Sequence, residues 1–250
     1  MVGIAGTLRG KVGAMVFSKG KDGQTIAKSY QPVVANPRTV GQLKQRAKMT
    51  LVGKVSSVVP DSAIQGMGQR NKRDRRSEFS KHLLGVVSVD TSAPNTIAAM
   101  VEPSDIVFGR GSVPLKATVS SQLALTATSA TIGVTGSDLA VANKYGEKLV
   151  LAVIKPEDKG GVSFVMEENV MIANGVATSV EFAFGEPIED QTMVAVYRVP
   201  FELSDDASSV IASDLSNNGT EILSSLLCED GSVKSWGNSV LSKVTVFTQA

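Results

Sequence analysis

Short apolar segments with turn residues between them recur at regular intervals from about residue 95 to residue 200 of the chain. They are rich in Val, Ile, Thr and Phe and shorter than most helices, which favours β-strands. Strands at this spacing are typical of an antiparallel β-sandwich. The predicted strands are residues 96–102, 105–109, 113–120, 123–134, 148–155, 161–168, 177–184 and 191–199.

Two of these strands carry patterns that predict how they are covered. Residues 149–154 are apolar throughout, as in a central strand with both faces buried. Residues 180–184 alternate instead, with Val180, Phe182 and Phe184 on one side. This alternation predicts a half-buried strand with its other face in solvent.

The first 60 residues predict a β-hairpin followed by a helix. Residues 12–31 form the hairpin around a turn at residues 19–23, where two glycines permit positive φ angles. Asn36 and Pro37 are typical of a helix N-cap and a first helical position. Apolar residues then recur at steps of three and four and predict one helix face that ends near Val59. That face comprises Val40, Leu43, Ala47, Leu51, Val55 and Val58.

A second helix is predicted after a cationic segment at residues 70–76. Phe79, Leu83 and Leu84 provide its short apolar face. Cations in a first turn oppose the helix dipole, at a cost of roughly 0.3–1 kcal/mol each. This unfavourable placement points to an anionic partner.

The last 47 residues combine a predicted loop with a predicted strand. Residues 204–219 are mostly polar and indicate a loop, whereas residues 240–248 indicate a strand. The tail either completes the sheet of its own chain or packs on a neighbouring molecule. The first alternative is slightly favoured.

The two parts of the chain carry opposite net charge. The first 90 residues contain 16 Lys and Arg and five acidic residues, a net charge of +11. Residues 91–250 contain nine Lys and Arg and 19 acidic residues, a net charge of −10. The basic part is suited to nucleic acid, or to the acidic part of a neighbouring copy in a head-to-tail assembly. A third interpretation is a solvated basic surface without a partner.

Basic residues of the first part are the candidates for binding a partner or nucleic acid. Five positive charges fall within residues 70–76, and neutralising several phosphates would give salt-sensitive affinity. Aromatic residues are few and no zinc-finger spacing is present, so recognition of a specific base sequence is not expected. The candidates are Lys11, Lys19, Lys21, Arg38, Lys44, Arg46, Lys48, Arg70, Lys72, Arg73, Arg75 and Arg76.

Residues that most catalytic sites require are nearly absent. The chain has one cysteine, Cys228, and one histidine, His82, so neither an internal disulfide nor a Cys or His metal cluster is expected. No glycine-rich segment matches a nucleotide-binding motif. Acidic pairs fall at predicted turns, where solvation is their usual state. No catalytic residue, metal ligand or cofactor is therefore predicted, and the chain is expected not to be an enzyme.

No membrane association is expected either. No apolar run approaches the roughly 18 residues of a membrane-spanning helix. The N-terminus lacks the apolar stretch of a secretory signal.

A series of short motifs runs through the N-terminal part of the chain. The motifs are Gly10-Lys11-Val12-Gly13, Gly20-Lys21-Asp22-Gly23-Gln24, Ser29-Tyr30-Gln31-Pro32, Asn36-Pro37-Arg38-Thr39, Gln42 and Gln45-Arg46-Ala47. Together they resemble a family of unknown function that is common in Bacteroidota and their phages. The strand that ends in Lys155-Pro156-Glu157 and the segment from Thr192 to Arg198 are also similar to that family. The resemblance covers residues 1–205 and is closest in the first 50, and it implies a basic hairpin–helix unit, an immunoglobulin-like domain and no catalytic residue.

These observations predict an α+β protein with a small N-terminal β-hairpin and helical unit and an antiparallel immunoglobulin-like β-sandwich. The expected segments are residues 1–90, 91–204 and a tail at 205–250. The predicted function is that of a non-enzymatic structural protein, a phage virion component that contacts copies of itself or other virion proteins. The alternative is a protein that binds DNA or RNA without sequence preference. The expected location is the virion or the host cytoplasm.

Overall fold

A computed structural model describes residues 9–20, 24–30, 39–68, 71–93, 96–137, 143–155, 161–214, 223, 226–227 and 232–249. The chain forms two compact units, Met1–Val40 and Gly41–Ala250. We refer to the first as the arm and to the second as the body.

Three antiparallel strands form the arm, where the sequence predicts two. They are β1 (Gly10–Val12), β2 (Met15–Lys19) and β3 (Thr25–Ser29), in the order β1-β2-β3. An extra turn follows β1, because Gly13 adopts a φ of +57°, a conformation that glycine tolerates at little cost. The predicted hairpin is therefore the second half of a three-stranded meander, and residues 21–23 of its turn lie outside the described residues.

Both predicted helices are present. The first, α1 (Val40–Val58), buries Leu51, Val52 and Val55 and ends shortly before Pro60. Its predicted N-cap at Asn36 lies outside the described residues. The second, α2 (Lys72–Val86), starts after Asn71, whose side chain accepts a hydrogen bond of 2.9 Å from the Asp74 N–H. An N-cap bond of this kind satisfies one of the free donors of a first turn.

The body contains two facing antiparallel sheets and a separate hairpin. The hairpin is β4 (Ser88–Ala93) with β5 (Thr96–Met100). One sheet has the order β10-β7-β6 and the other the order β12-β11-β8-β9, with β13 also paired to β11. The strands are β6 (Ala117–Leu125), β7 (Ser129–Gly136), β8 (Tyr145–Ile154), β9 (Phe164–Ile172), β10 (Ala177–Ala183), β11 (Met193–Leu203), β12 (Val233–Trp236) and β13 (Val240–Val246).

Strand β8 separates two layers of core. Leu149, Leu151 and Val153 face the other sheet in one apolar cluster, together with residues of β7 and β10. Val150 and Ala152 belong to a second cluster that includes buried residues of α1 and α2. The prediction of a central strand covered on both faces is confirmed. The α+β class is also confirmed, and the antiparallel sheets of the body are compatible with a β-sandwich.

Three predicted segments are corrected. Residues 106–109 form no strand. Ile106 and Phe108 are buried because they pack in the cluster that includes α1 and α2, which we call the helix-side core, and this segment is not paired with a strand. The predicted strand 123–134 is divided between two strands, since residues 123–125 end β6, which also includes residues 117–120 of the preceding predicted strand, and residues 129–134 belong to β7. A turn at Thr126 separates them, where the Thr126 hydroxyl accepts a hydrogen bond of 2.9 Å from the Ser129 N–H.

Part of the predicted polar loop at residues 204–219 is a helix, α3 (Asp205–Asp214). The Ser204 hydroxyl accepts a hydrogen bond from the Ala207 N–H, and acidic residues occupy the first turn, where they complement the helix dipole. Ala207 and Ile211 pack against the end of β11. This burial stabilises a helix that composition alone does not indicate.

The tail completes the sheet of its own chain, as the sequence slightly favours. Both β12 and β13 pair with β11, with register shifts at Glu202/Leu203 and Val196/Tyr197. The division into segments 1–90, 91–204 and 205–250 stays a prediction. The helices share a core with β8 and β11, and the tail strands belong to the β11 sheet.

Among the described helices, none is long and apolar enough to cross a membrane.

Candidate functional site: the faces of the arm

The arm has two chemically different faces. Pairing of β2 with its neighbours places Val16 beside Lys11 and Lys28, so that these three residues share one face. The opposite face carries four apolar side chains, with Lys19 at its end. We call these the cationic face (Lys11, Val16, Ser18, Ile26, Lys28) and the apolar face (Val12, Met15, Phe17, Lys19, Thr25, Ala27, Ser29).

Most of the apolar face is exposed. Val12 is 67% exposed and Met15 46% exposed, whereas Phe17 is half-buried. Within the described part of the arm, the only elements are the three strands of this sheet. A sheet of this size needs a packed hydrophobic face for independent stability. The exposed apolar face is therefore a candidate contact surface.

The ring of Tyr30 contacts the cationic face of the arm. The Lys11 ammonium lies 3.5 Å from the centre of the Tyr30 ring, a cation–π contact. The Tyr30 N–H donates a hydrogen bond of 2.6 Å to the Ala14 carbonyl, which fixes the ring beside the sheet. No acidic residue occurs in the described part of the arm.

The structure describes the side chains of eight of the twelve candidate basic residues, and these lie on the arm, on α1 and on α2. Lys11 and Lys19 lie on opposite faces of the arm. Lys44, Arg46 and Lys48 lie on α1, where Arg46 is exposed and the two lysines are half-buried. Arg73, Arg75 and Arg76 lie on α2. Lys21, Arg38, Arg70 and the side chain of Lys72 are outside the described residues.

Arg76 joins two helices within the body. Its guanidinium donates hydrogen bonds to the carbonyls of Ser56 and Val59, at the C-terminal end of α1. It also forms an ion pair with Asp61. A cation at a helix C-terminus satisfies free carbonyls and complements the helix dipole. Arg76 therefore has an internal structural role, which the sequence reasoning missed.

We expect Arg76→Met to lower the free energy of unfolding by about 1–3 kcal/mol, because hydrogen bonds to a charged group are lost. Arg73→Ala is the matched control on the same helix, since Arg73 is exposed, and it should change stability by less than about 0.5 kcal/mol. Urea denaturation measures both variants. Equal stability of the two would contradict the structural role of Arg76.

Three further ionisable side chains of the body, those of His82, Arg110 and Lys148, form hydrogen bonds within it. His82 Nε2 lies 2.9 Å from the Asp105 carbonyl, and Arg110 Nη2 lies 2.7 Å from His82 Nδ1. Lys148 is 1% exposed and donates to the Ser62 carbonyl and the Gln65 side chain. Its position directly before the apolar run at residues 149–154 is the sequence signal that would have indicated burial. Among the described residues, no three His, Cys, Asp or Glu converge as metal ligands, and Cys228 lies outside them.

No protein-family model and no curated protein matches the chain. Among solved structures, Bacteroides uniformis beta-glucuronidase 2 covalently bound to cyclophellitol-6-carboxylate aziridine is similar over 53% of this chain, at 12% sequence identity and a TM-score of 0.23. The chain spans 13% of the length of that enzyme. A likeness of this extent supports no conclusion about fold or function.

Proposed function

We propose that the chain is a non-enzymatic assembly protein in which the arm of one copy binds the body of another copy. The observation that carries this proposal is the exposed apolar face of the arm. A partner that covers Val12 and Met15 would supply the packed layer that the three strands need.

Charge supports a second copy as that partner. Residues 1–40 contain six basic residues and one acidic residue, a net charge of +5, whereas residues 41–250 contain 19 and 23, a net charge of −4. Opposite charges on two parts of one chain favour contacts between unlike surfaces of neighbouring copies. The resemblance of the N-terminal motifs to a phage-associated family supports a virion as the location of this assembly.

Substituting Asp for Val12 and Met15 tests the proposal. Two carboxylates on the apolar face would have to be desolvated in the contact, so the double variant should be a monomer at concentrations where the wild type associates. Ser18→Asp is the matched control, since it adds the same kind of charge to β2 on the cationic face. Light scattering after size-exclusion chromatography measures the mass. A monomeric wild type at high concentration would overturn the proposal.

A second candidate function is binding to DNA or RNA without sequence preference. The cationic face favours it, because it combines Lys11 and Lys28 with the adjacent Tyr30 ring. Lys11→Ala with Lys28→Ala should then weaken binding to a single-stranded oligonucleotide and reduce its salt dependence by about two phosphate contacts. The same variant should leave association of the protein unchanged. Binding that is absent at low salt would exclude this candidate.

A further inference from the structure

The two sheets of the body have neighbouring open edges. Strands β9 and β10 follow each other through a short turn at residues 173–176, yet they belong to opposite sheets. Each is the outermost strand of its sheet, and in the described part of the chain each is paired along one side only. Unpaired strand edges of this kind are natural sites for contact with another chain.

A cleft of about 420 Å³ lies between these two edges. Its apolar lining includes the buried residues Val170 and Val180 from the two strands, and Ile211 from α3 closes one side. Glu168 and Glu181 also line the cleft. Glu168 lies on the same face of β9 as Val170, whereas Glu181 is exposed and lies on the other face of β10 from Val180, at the rim of the cleft. The cleft is thus apolar inside, with one carboxylate on its inner side and one at its rim.

The two carboxylates have no cationic partner in the described part of the body. Ion pairs there include Glu147, Glu167, Glu189 and Glu202, but neither Glu168 nor Glu181. Burial raises the pKa of the Glu168 carboxyl, and the neighbouring Glu167 carboxylate raises it further. The charged form of Glu168 would therefore gain from a cation that enters the cleft.

We infer that this cleft is the acceptor for the apolar face of the arm of a second copy, with Met15 and Phe17 against its apolar lining and Lys19 beside its carboxylates. Strand β2 is paired on both sides within the arm, so the contact is made by side chains of this face and not by pairing of β2 with an open strand edge. The inference rests on the proposed function and names the surface that the arm contacts. Met15, Phe17 and Lys19 alternate along β2, so all three project from one face of the arm. The apolar side chains of that face match the apolar lining of the cleft, and its terminal cation matches the carboxylates of the cleft.

Charge reversal tests the pairing. Glu181→Lys should weaken association about tenfold or more, because a charge-assisted contact to Lys19 is replaced by repulsion. Lys19→Glu should have a similar effect, and the two changes together should restore most of the affinity. Glu186→Lys is the matched control, since Glu186 is also exposed but lies outside the cleft lining.

Mixing two defective variants tests whether arm and cleft meet between copies. The arm variant, in which Asp replaces both Val12 and Met15, retains an intact cleft, and Glu181→Lys retains an intact arm. Native mass spectrometry of the mixture should show a dimer that contains one copy of each variant. The absence of this dimer would overturn the inference.

Glu168→Gln separates binding from folding. Because the pKa of Glu168 is raised in the folded chain, its charge destabilises the fold at pH values above that pKa. The variant should therefore unfold at pH 7 at the same or a higher temperature than the wild type, and yet associate more weakly. A lower unfolding temperature together with unchanged association would contradict the inference.

The failure of the inference and of the proposed function are distinguishable. If the cleft variants associate like the wild type while the arm variant stays monomeric, the acceptor lies elsewhere on the body and the assembly function stands. If the arm variant also associates like the wild type, both proposals fail.

Discussion

Arg198→Met is expected to lower the free energy of unfolding by about 3–5 kcal/mol, because it leaves a buried carboxylate without its partner. Arg198 Nε and Nη2 donate hydrogen bonds of 2.6 and 2.7 Å to the two carboxylate oxygens of Glu147. Nη2 also donates to the Ala117 carbonyl on the facing sheet, at 2.7 Å. The guanidinium therefore links the two layers of the sandwich as well as two strands of one sheet. Urea denaturation measures the loss.

A double variant separates loss of the pair from loss of one partner. Glu147→Met combined with Arg198→Met removes both charges, so it should recover part of the stability that Arg198→Met alone loses. Lys155→Met is the control at a more exposed ion pair, where Lys155 and Glu189 are 3.6 Å apart, and it should cost less than about 1 kcal/mol. A single variant as stable as the wild type would show that the buried pair contributes nothing.

Phe79→Ala should lower the free energy of unfolding by about 3–5 kcal/mol through the cavity that it leaves. Phe79 is fully buried on α2, and its ring centre lies 5.9 Å from that of Phe108, which in turn lies 4.8 Å from the ring centre of Tyr197 on β11. These three rings connect α2 to the sheet that contains β8 and β11. We therefore expect the helices and the sandwich to unfold in one transition, at a lower temperature in the variant.

The single tryptophan, Trp236 on β12, reports this transition from the sheet. Its fluorescence and the far-UV circular dichroism of the whole chain should shift together in Phe79→Ala. Phe79→Leu is the milder control, since it retains most of the buried volume. If the fluorescence kept the wild-type midpoint while the helical signal was lost at a lower temperature, the helices would unfold separately from the sandwich.

Periodicity predicts those elements whose burial follows from their own sequence. The apolar run at residues 149–154 indicates β8 because both faces of that strand are covered. The same reasoning fails at Ile106 and Phe108, where alternating burial arises from packing in the helix-side core instead of from a sheet. It also fails at α3, whose two buried residues depend on the end of β11. Elements that are stabilised by contacts with residues distant in the sequence show little hydrophobic periodicity of their own.

The candidate site shows the same limit. A simple hairpin would place Val12 and Val16 on one face, whereas the turn at Gly13 moves Val12 beside Met15 on the apolar face. One positive φ angle therefore decides the chemistry of both faces, and sequence alternation does not reveal it. A count of basic residues also does not distinguish a free arginine from one that is bound within the chain. Arg76 donates a hydrogen bond to the Val59 carbonyl after α1 and forms an ion pair with Asp61.

Strand β11 pairs with two strands that lie after it in the sequence, so its sheet cannot be completed until late in translation. Residues 233–246 supply both strands that pair with the edge of β11 opposite β8. Until the ribosome has made and released those residues, the nascent chain presents an unpaired strand edge that is a template for mispairing. Chains cut short before residue 233 should therefore aggregate even though α1, α2 and every strand from β1 to β11 have already been synthesised.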